Sequence, residues 1–265
     1  MSQYKIEAGT AQHIGDRKEQ QDRVALFAAP NAPGHMMAVV ADGMGGKSGG
    51  AIAAEQVIRS AKMLFDEFFP GNDIKAMLQA VVNEAHTVIK LSAVSSEKEP
   101  HSTFAAIVIS PQKAVWAHVG DSRLYRFTGP NFAERTKDHS YVERLVDEGM
   151  ITAEEAKNHK MSNVLVNVLG SKNAIPYVSF GEKDNLVAGD SFLLCSDGLW
   201  HYFSDTELSV AVGASSPRQA SELMIRKARE RAGGHGDNVS FAIVKLSPMP
   251  IEQKTYVAEK MTRVI

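Results

Sequence analysis

The 265-residue sequence contains a single cysteine, Cys195. One cysteine excludes an internal disulfide and a cysteine-rich zinc site, and it fits a reducing compartment. The charge is nearly balanced at −2, so no overall field favours nucleic acid or an anionic membrane. No apolar run approaches ~20 residues, and the N-terminal residues have no apolar signal core. We therefore predict a soluble, cytoplasmic protein that binds neither nucleic acid nor membrane.

The remaining composition, with 44% hydrophobic and 23% charged residues, is that of an ordinary globular protein. Short apolar runs bounded by turn residues predict strands at 36–41, 103–109, 114–119, 124–128, 191–195 and 239–246. Apolar residues at helical spacing predict helices over 51–69 and 73–91. Because the strands between 103 and 128 are joined by short turns, we expect antiparallel neighbours there. Helices grouped between runs of strands indicate an α+β fold.

Capping boxes mark the starts of three later helices. The pairs are Thr152 with Glu155, Ser204 with Glu207, and Ser216 with Gln219. From Ser247 onward, the segment Ser-Pro-Met-Pro indicates the end of the domain. We predict one domain over residues 1–247 and a C-terminal tail over 248–265.

Five aspartates stand beside apolar runs. Four are adjacent to glycine at the edge of such a run and the fifth ends a polar stretch; they are Asp42, Asp121, Asp197, Asp237 and Asp22. Each Asp-Gly site can be a simple turn, an alternative that fits Asp121 best because strands are predicted on both sides of it.

Carboxylates at strand ends project over the rim of a sheet, and several of them together would repel one another unless cations intervened. Oxygen ligands without histidine or cysteine suit Mg²⁺ or Mn²⁺ rather than structural zinc. Two such ions about 3.5–4 Å apart can bridge and deprotonate a water near neutral pH. Spacing alone leaves open whether these side chains converge.

The order of the motifs resembles that of the metal-dependent protein phosphatases, the PPM or type 2C family, in its bacterial form. The resemblance covers about residues 5–246 and is carried by Arg17 and Asp22, Ala41-Asp42-Gly43-Met44-Gly45-Gly46, Ser102-Thr103, Gly120-Asp121-Ser122-Arg123, Asp138-His139-Ser140, Ser196-Asp197-Gly198-Leu199 and Gly236-Asp237-Asn238. It implies a four-layer αββα sandwich, in which two central antiparallel sheets are flanked by helices and the metal cluster lies at one end.

The resemblance also implies the roles of individual residues. Two Mn²⁺ or Mg²⁺ ions would be held by Asp22, Asp42, Asp197, Asp237 and the backbone carbonyl of Gly43. A third, weaker ion would be held by Asp121 together with Asp197. Arg17 would clamp the substrate phosphate, because its planar guanidinium matches phosphate oxygens bidentately.

The implied function is that of a serine/threonine protein phosphatase. A metal-bridging hydroxide would attack phosphoserine or phosphothreonine, and the enzyme would act as a monomer that reverses a Ser/Thr kinase. An alternative is a non-catalytic relative that keeps the fold as a binding module, although such relatives usually lose metal ligands. A P-loop nucleotide-binding enzyme is another alternative because of Gly46-Lys47-Ser48, but Ala41 replaces the first glycine of that motif.

The sequence departs from the family pattern at several positions. Met44 stands where eukaryotic members have a histidine that is proposed as general acid, and Gly50 stands where bacterial relatives commonly have glutamate. Val166-Asn167 replaces a common Thr-Arg pair. None of these changes removes an implied metal ligand, so we expect an active enzyme.

Four further features have open or structural interpretations. His139 is more readily structural than catalytic, and Cys195 reads as a small buried hydrophobe rather than a nucleophile. Asn238 either orients a metal ligand or forms a turn. Residues 141–172 would be the flap beside the active site, which we expect to be mobile.

Overall fold

The computed structural model describes residues 4–45, 49–94, 99–214 and 216–249. Its strands are β1 (Tyr4–His13), β2 (Arg23–Ala28), β3 (Met36–Ala41), β4 (Gly43–Met44), β5 (His101–Ser102), β6 (Phe104–Ile109), β7 (Lys113–Val119), β8 (Arg123–Thr128), β9 (Asn131–Arg135), β10 (Ser179–Asp184), β11 (Asp190–Cys195) and β12 (Val239–Pro248). Its helices are α1 (Gly49–Asp66), α2 (Ile74–Val94), α3 (Tyr141–Asp147), α4 (Ala153–Lys157), α5 (Asp197–Trp200), α6 (Asp205–Ala214) and α7 (Pro217–Ala232).

Ten of these strands form two five-stranded sheets. The first sheet has the order β1-β12-β11-β8-β9 and the second has β10-β7-β6-β3-β2, while β4 pairs with β5. All the pairings are antiparallel. The predicted α+β class with two antiparallel sheets is therefore confirmed.

Three apolar cores separate four layers. Between the sheets, residues such as Ile107 of the second sheet and Phe192 of the first form one core. Helices α1 and α2 cover the outer face of the second sheet, where Phe65 and Leu78 are fully buried. Helices α6 and α7 cover the outer face of the first sheet, where Met224 is buried. This is the αββα arrangement that the family resemblance implies.

The central strands are apolar along their whole length because both of their faces are covered. In β3, Met37 and Val39 face the helices, while Ala38 and Val40 face the other sheet. This alternation follows from the two-residue period of a strand. Such runs predict strands from their composition, and all six predicted strands are present with ends shifted by a few residues.

The prediction missed the strands at the edges of the sheets. β1 and β9 flank the first sheet, and β10 and β2 flank the second. Edge strands are only partly covered: in β1 and β10 exposed residues alternate with partly buried ones. The polar residues of β1 and β10 hide the apolar period on which the prediction depends.

One prediction about strand pairing is wrong. β7 and β8 are joined by the short segment 120–122, yet β7 belongs to the second sheet and β8 to the first. The segment is thus a crossover between the sheets rather than a hairpin turn. Gly120 makes it possible, because its φ is +100° and a Cβ there would lie 2.7 Å from Cγ2 of Thr103.

The helix predictions largely hold. The predicted helix 51–69 corresponds to α1, which ends earlier at Asp66, and the predicted helix 73–91 corresponds to α2. All three capping boxes form; at Ser204, for example, its backbone N–H donates to the Glu207 carboxylate over 2.9 Å.

Within the described residues, no helix combines the length and apolar content that a bilayer span requires. Residues 251–265, predicted as part of the tail, lie outside the described residues.

Candidate active site

The antiparallel register brings Asp22 and Asp42 to the same end of the second sheet. Asp22 immediately precedes β2 and Asp42 immediately follows β3. Arg23 pairs with Ala41 in this hairpin, so the two aspartates flank a paired position.

The first sheet contributes the other three aspartates at its corresponding end. Cys195, the last residue of β11, pairs with Arg123 at the start of β8 and with Phe241 near the start of β12. Three aspartates flank those strand ends: Asp197 follows β11, while Asp121 and Asp237 precede β8 and β12. Because 120–122 crosses from one sheet to the other, the ends of the two sheets lie together, and five separate segments supply the carboxylates.

The electrostatics of Asp22 reflect this convergence. Burial raises the pKa of its carboxyl to about 8, even though hydrogen bonds from Ser196 and Ser240 lower it. The negative charges of Asp197 and Asp237 raise that pKa further. Asp22 is 1% exposed, and its Oδ2 accepts a hydrogen bond from Ser196 Oγ over 2.7 Å.

The pKa of Asp42 responds to the charges of all four other aspartates. Burial raises its pKa well above the usual range, and the charges of Asp22, Asp197, Asp121 and Asp237 raise it in addition. The part of the shift that comes from these charges requires the other carboxylates to lie close to Asp42 in poorly solvated surroundings. The five side chains therefore share one local electrostatic environment.

The carboxyl groups of Asp121 and Asp197 also have raised pKa values. Burial, followed by the charge of Asp197, raises the pKa of the Asp121 carboxyl well above its usual range, against the opposing charge of Arg123. Burial also raises the pKa of Asp197, while His201 lowers it. His201 was not among the predicted site residues, although a histidine four residues after a candidate ligand is a usable signal. Its Nδ1 lies 3.7 Å from Asp197 Oδ2.

The donor set fits a hard divalent cation, since it consists of carboxylate and carbonyl oxygens. Burial and mutual repulsion raise these pKa values, and a cation there would compensate both effects by favouring the charged carboxylates. In the described part of the chain, no three Asp, Glu, His or Cys side chains already surround a single point as ligands would.

Gly43, the proposed carbonyl ligand, follows Asp42 directly and pairs with Ser102. A Cβ at Gly43 would lie 2.0 Å from the Gly50 carbonyl oxygen, and a Cβ at Gly50 would lie 2.4 Å from that of Gly43. The backbones therefore meet directly, which explains why position 50 has no side chain here. Lys47 and the rest of the 46–48 segment, including the proposed P-loop residues, lie outside the described residues.

Arg17 lies on the loop between β1 and β2, beside the aspartates. Its Nη2 donates to Asp237 Oδ2 over 2.6 Å, and its side chain is 61% exposed. The neighbouring Asp16 anchors this loop through two 2.7 Å hydrogen bonds from Arg229 and one from the Gly236 N–H. The bond from Arg229 holds the pKa of Asp16 well below its usual range.

Asn238 also anchors the loop, and this favours an orienting role over a simple turn. Its Oδ1 accepts a hydrogen bond from the Gln21 N–H over 2.7 Å. Its Nδ2 donates to the carbonyls of Ile14 and Glu19. Asn238 is buried and thereby fixes the backbone that leads into Asp22.

Two hydroxyl residues connect Asp42 to the crossover. Thr103 Oγ1 accepts a hydrogen bond from the Asp42 N–H over 2.9 Å and lies 2.6 Å from Ser122 Oγ. Ser102 Oγ donates to the Asp42 carbonyl over 3.1 Å. The motif Ser102-Thr103 entered the sequence analysis only as a family pattern, so its role in holding Asp42 was missed.

His139 has the structural role that the sequence favoured. Its Nδ1 accepts a hydrogen bond from the Gly120 N–H over 3.2 Å, and its Nε2 lies 2.9 Å from Ser179 Oγ. Burial lowers its pKa to about 3, so the ring is neutral. Both of its nitrogens have partners in these contacts. Asn167, which departs from the family pattern, is buried and contacts the same ring over 2.8 Å.

Cys195 is fully buried, as expected for a small hydrophobe, and burial raises the pKa of its thiol.

Met44 pairs with His101 in the β4–β5 ladder. The predicted flap contains α3 and α4, and isolated bridges tie it to the domain at Ser140–Leu165 and Ser102–Leu169.

A two-layered sheet sandwich with a carboxylate cluster between the strand ends defines a candidate phosphoryl-transfer or hydrolytic metal centre. The sequence profile described as Protein phosphatase 2C matches residues 9–223, and the chain belongs to this family.

Three similar proteins illustrate the relationship. The chain is 34% identical over 215 residues to the serine/threonine protein phosphatase PstP of Mycobacterium tuberculosis, covering 79% of this chain but only 40% of that protein. It is 30% identical over 235 residues to the protein phosphatase PhpP of Streptococcus pneumoniae, covering 87% of this chain and 93% of that one. A crystal structure of the PstP catalytic domain in complex with two manganese ions superposes with a TM-score of 0.77 and 29% identity, covering 91% of this chain and 98% of that one.

Proposed function

We propose that this chain is an active, metal-dependent serine/threonine protein phosphatase, which hydrolyses phosphoserine and phosphothreonine in proteins. The observation that carries the proposal is the convergence of five aspartates from separate segments at one end of both sheets, where burial and mutual charge raise the pKa values of four of them. The names of the relatives and their similarity over most of this chain support the same function.

In this proposal two Mn²⁺ or Mg²⁺ ions are held by Asp22, Asp42, Asp197, Asp237 and the Gly43 carbonyl, while Asp121 with Asp197 holds a third, weaker ion. When bound, such ions neutralise the carboxylates and lower the pKa of water so that it can attack phosphorus. The manganese ions in the relative's structure support the choice of metal.

Arg17 positions the substrate phosphate. Its contact with Asp237 uses one donor of a guanidinium that has five, so other donors remain for phosphate oxygens. Because the side chain is exposed, it is accessible to a phosphoprotein.

Neither Met44, which carries no transferable proton, nor His139, whose nitrogens are both engaged, serves as general acid.

We assign the catalytic domain to residues 1–247, with a flap at about 141–172 and a tail at 248–265. We further propose that the enzyme acts as a monomer in cytoplasmic signalling and reverses the action of a Ser/Thr kinase.

The test is hydrolysis of para-nitrophenyl phosphate and of a phosphothreonine peptide, after metal has been stripped and then restored as Mn²⁺ or Mg²⁺. Activity that vanishes with chelation and returns with metal is expected. Circular dichroism of the stripped protein controls for unfolding. Folded protein that hydrolyses neither compound with either metal would contradict the proposal and favour the non-catalytic binding module.

A further inference from the structure

The four-residue helix α5 begins with Asp197 and ends with Trp200. Its single turn is closed by hydrogen bonds from the Leu199 N–H to the Ser196 carbonyl over 3.2 Å and from the His201 N–H to the Asp197 carbonyl over 3.0 Å. A proposed ligand of the third ion and an indole side chain are therefore held three residues apart on one helical turn.

This turn packs closely against the start of β12. A Cβ at Gly198 would lie 2.0 Å from the Asn238 carbonyl oxygen, so the absence of a side chain lets the two backbones meet. The Ser196 N–H also donates to the Ser240 carbonyl over 2.9 Å. α5 is thus fixed relative to the first sheet, and it provides a rigid base for Trp200.

Trp200 reaches from this base to the crossover segment. Its indole N–H donates to the backbone carbonyl of Asp121 over 3.0 Å. Asp121 lies in the segment 120–122 that arrives from the second sheet, whereas Asp197 follows β11 of the first sheet. The hydrogen bond therefore joins the turn that carries one proposed ligand of the third ion to the backbone of the other.

The residues on either side of Asp121 have anchors of their own. The Gly120 N–H donates to His139 Nδ1 over 3.2 Å, and the Gly120 carbonyl accepts a hydrogen bond from the His139 N–H over 2.9 Å. The Ser122 hydroxyl lies 2.6 Å from that of Thr103. The indole hydrogen bond acts on the Asp121 carbonyl itself, between these two anchors.

A buried ion pair orients the indole ring. The Arg123 guanidinium lies 3.5 Å from the centre of the Trp200 ring, within the range of a cation–π contact. It donates two hydrogen bonds to the Asp138 carboxylate over 2.8 and 2.7 Å and one to the Tyr125 hydroxyl over 3.1 Å. Such a bidentate pair has a defined geometry, so the guanidinium is a fixed support for the ring.

We propose that Trp200 is a positioning residue for the third metal ion. It sets the position of Asp121 relative to Asp197, and Arg123 holds the indole in place for this task. The inference rests on the three-ion centre of the proposed phosphatase. Because the indole acts on the backbone of Asp121, its loss is expected to weaken binding of the third ion and to leave the two tightly bound ions in place.

The experiment counts bound ions without turnover. Electron paramagnetic resonance detects free Mn²⁺, so a titration of metal-stripped protein gives the number of bound ions and their dissociation constants. Trp200→Phe keeps an aromatic ring but removes the N–H. We expect it to bind two ions as tightly as wild type does, while the dissociation constant of the third ion rises about five- to tenfold. Asp121→Ala, which removes a proposed ligand of that ion, is the reference for its loss.

A second variant tests the support of the ring. Arg123→Lys keeps the positive charge but loses the planar group that lies over the indole and bonds to Asp138 bidentately. It is expected to weaken the third ion by a smaller factor than Trp200→Phe, and it keeps the indole itself. The matched control is Trp116→Phe, which removes the other tryptophan from the core between the sheets and is expected to bind all three ions as wild type does. Circular dichroism checks the folding of each variant.

The outcomes separate this inference from the proposed function. Wild-type affinity for the third ion in folded Trp200→Phe would overturn the positioning role, and so would an equal loss at the tight and weak sites, which would show that Trp200 only supports the fold. A wild-type protein that binds no more than two Mn²⁺ ions yet hydrolyses para-nitrophenyl phosphate would overturn this inference alone. A wild-type protein that hydrolyses no phosphoester, while Trp200→Phe selectively weakens the third ion, would overturn the phosphatase function and support the positioning role.

Discussion

The hydroxyl groups of Thr103 and Ser122 lie 2.6 Å apart and join the end of one sheet to the crossover that leads into the other. Thr103 also accepts a hydrogen bond from the Asp42 N–H, and Ser122 follows Asp121 directly. A single buried hydroxyl thus fixes the backbones of two candidate metal ligands relative to each other.

Thr103→Val removes this hydroxyl but keeps the shape of the side chain. It leaves the Asp42 N–H and Ser122 without their partner, so we expect a loss of about 1–3 kcal/mol in the free energy of unfolding and weaker metal binding. Chemical denaturation and metal titration measure both effects. Thr103→Ser, which keeps the hydroxyl, is the control and should bind metal almost as wild type does. Wild-type metal affinity in the valine variant would show that the hydroxyl does not position the ligands.

Asp42→Asn and Asp197→Asn should each lower turnover by about a thousandfold, because each removes a charged ligand from the centre that activates water. The fold should persist, since asparagine keeps the size of the side chain. Steady-state kinetics measures the loss of turnover, and circular dichroism checks that the fold persists. Asp184→Asn, at the exposed end of β10, is the control. Retained activity in either ligand variant would refute the metal-site assignment.

The metal-free protein should lose stability as the pH rises. The pKa of Asp22 is about 8 in the folded protein and near 3.8 when unperturbed, so between these values the folded state keeps a proton that the unfolded chain has released. The contribution of this carboxyl group to the free energy of unfolding is therefore greatest below about pH 4. It falls progressively as the pH rises to about 8.

Thermal unfolding of metal-free protein tests this pH dependence. Relative to Asp22→Asn, the Tm of the wild type should fall by about 2–4 °C per pH unit at most across that window, and added Mn²⁺ should reverse the trend. Asp184→Asn should follow the wild type. Parallel Tm curves for wild type and Asp22→Asn would mean that Asp22 does not titrate in this range.

Arg17→Ala should weaken use of the substrate rather than stability. Arg17 is exposed and bonded to Asp237, so its loss should change the free energy of unfolding by less than about 0.5 kcal/mol. We expect kcat/KM to fall by about a hundredfold, and Arg17→Lys to restore only part of it because lysine cannot bind phosphate bidentately. Lys18→Ala is the neighbouring control. An unchanged kcat/KM in Arg17→Ala would refute the phosphate-binding role.

Asp121→Ala should reduce turnover more than tight metal binding, because this residue is proposed to hold only the third ion. Isothermal titration with Mn²⁺ should still detect the two tight sites, while kcat falls by about tenfold or more. Loss of tight binding would instead place Asp121 among the ligands of the first two ions.

Much of the fold could be predicted because the central strands are buried on both faces. Runs such as Phe104–Ile109 consist of apolar residues that are all fully buried, and their composition alone identifies them. The edge strand Tyr4–His13 could not be predicted in the same way, because partial exposure allows polar residues and obscures the period of two.

The types of ligand available, the order of the motifs and the family to which they point all follow from the amino-acid sequence alone. Spacing along the chain could not decide whether Asp22, Asp121 and Asp237 lie at the same end of the two sheets, because each stands at the end of a different strand. The tertiary structure places them there, since antiparallel register aligns the strand ends within each sheet and the 120–122 crossover joins the sheets. It also decided the role of Asn238, because a hydrogen bond to Gln21, far away in sequence, depends on the folded chain rather than on local preference.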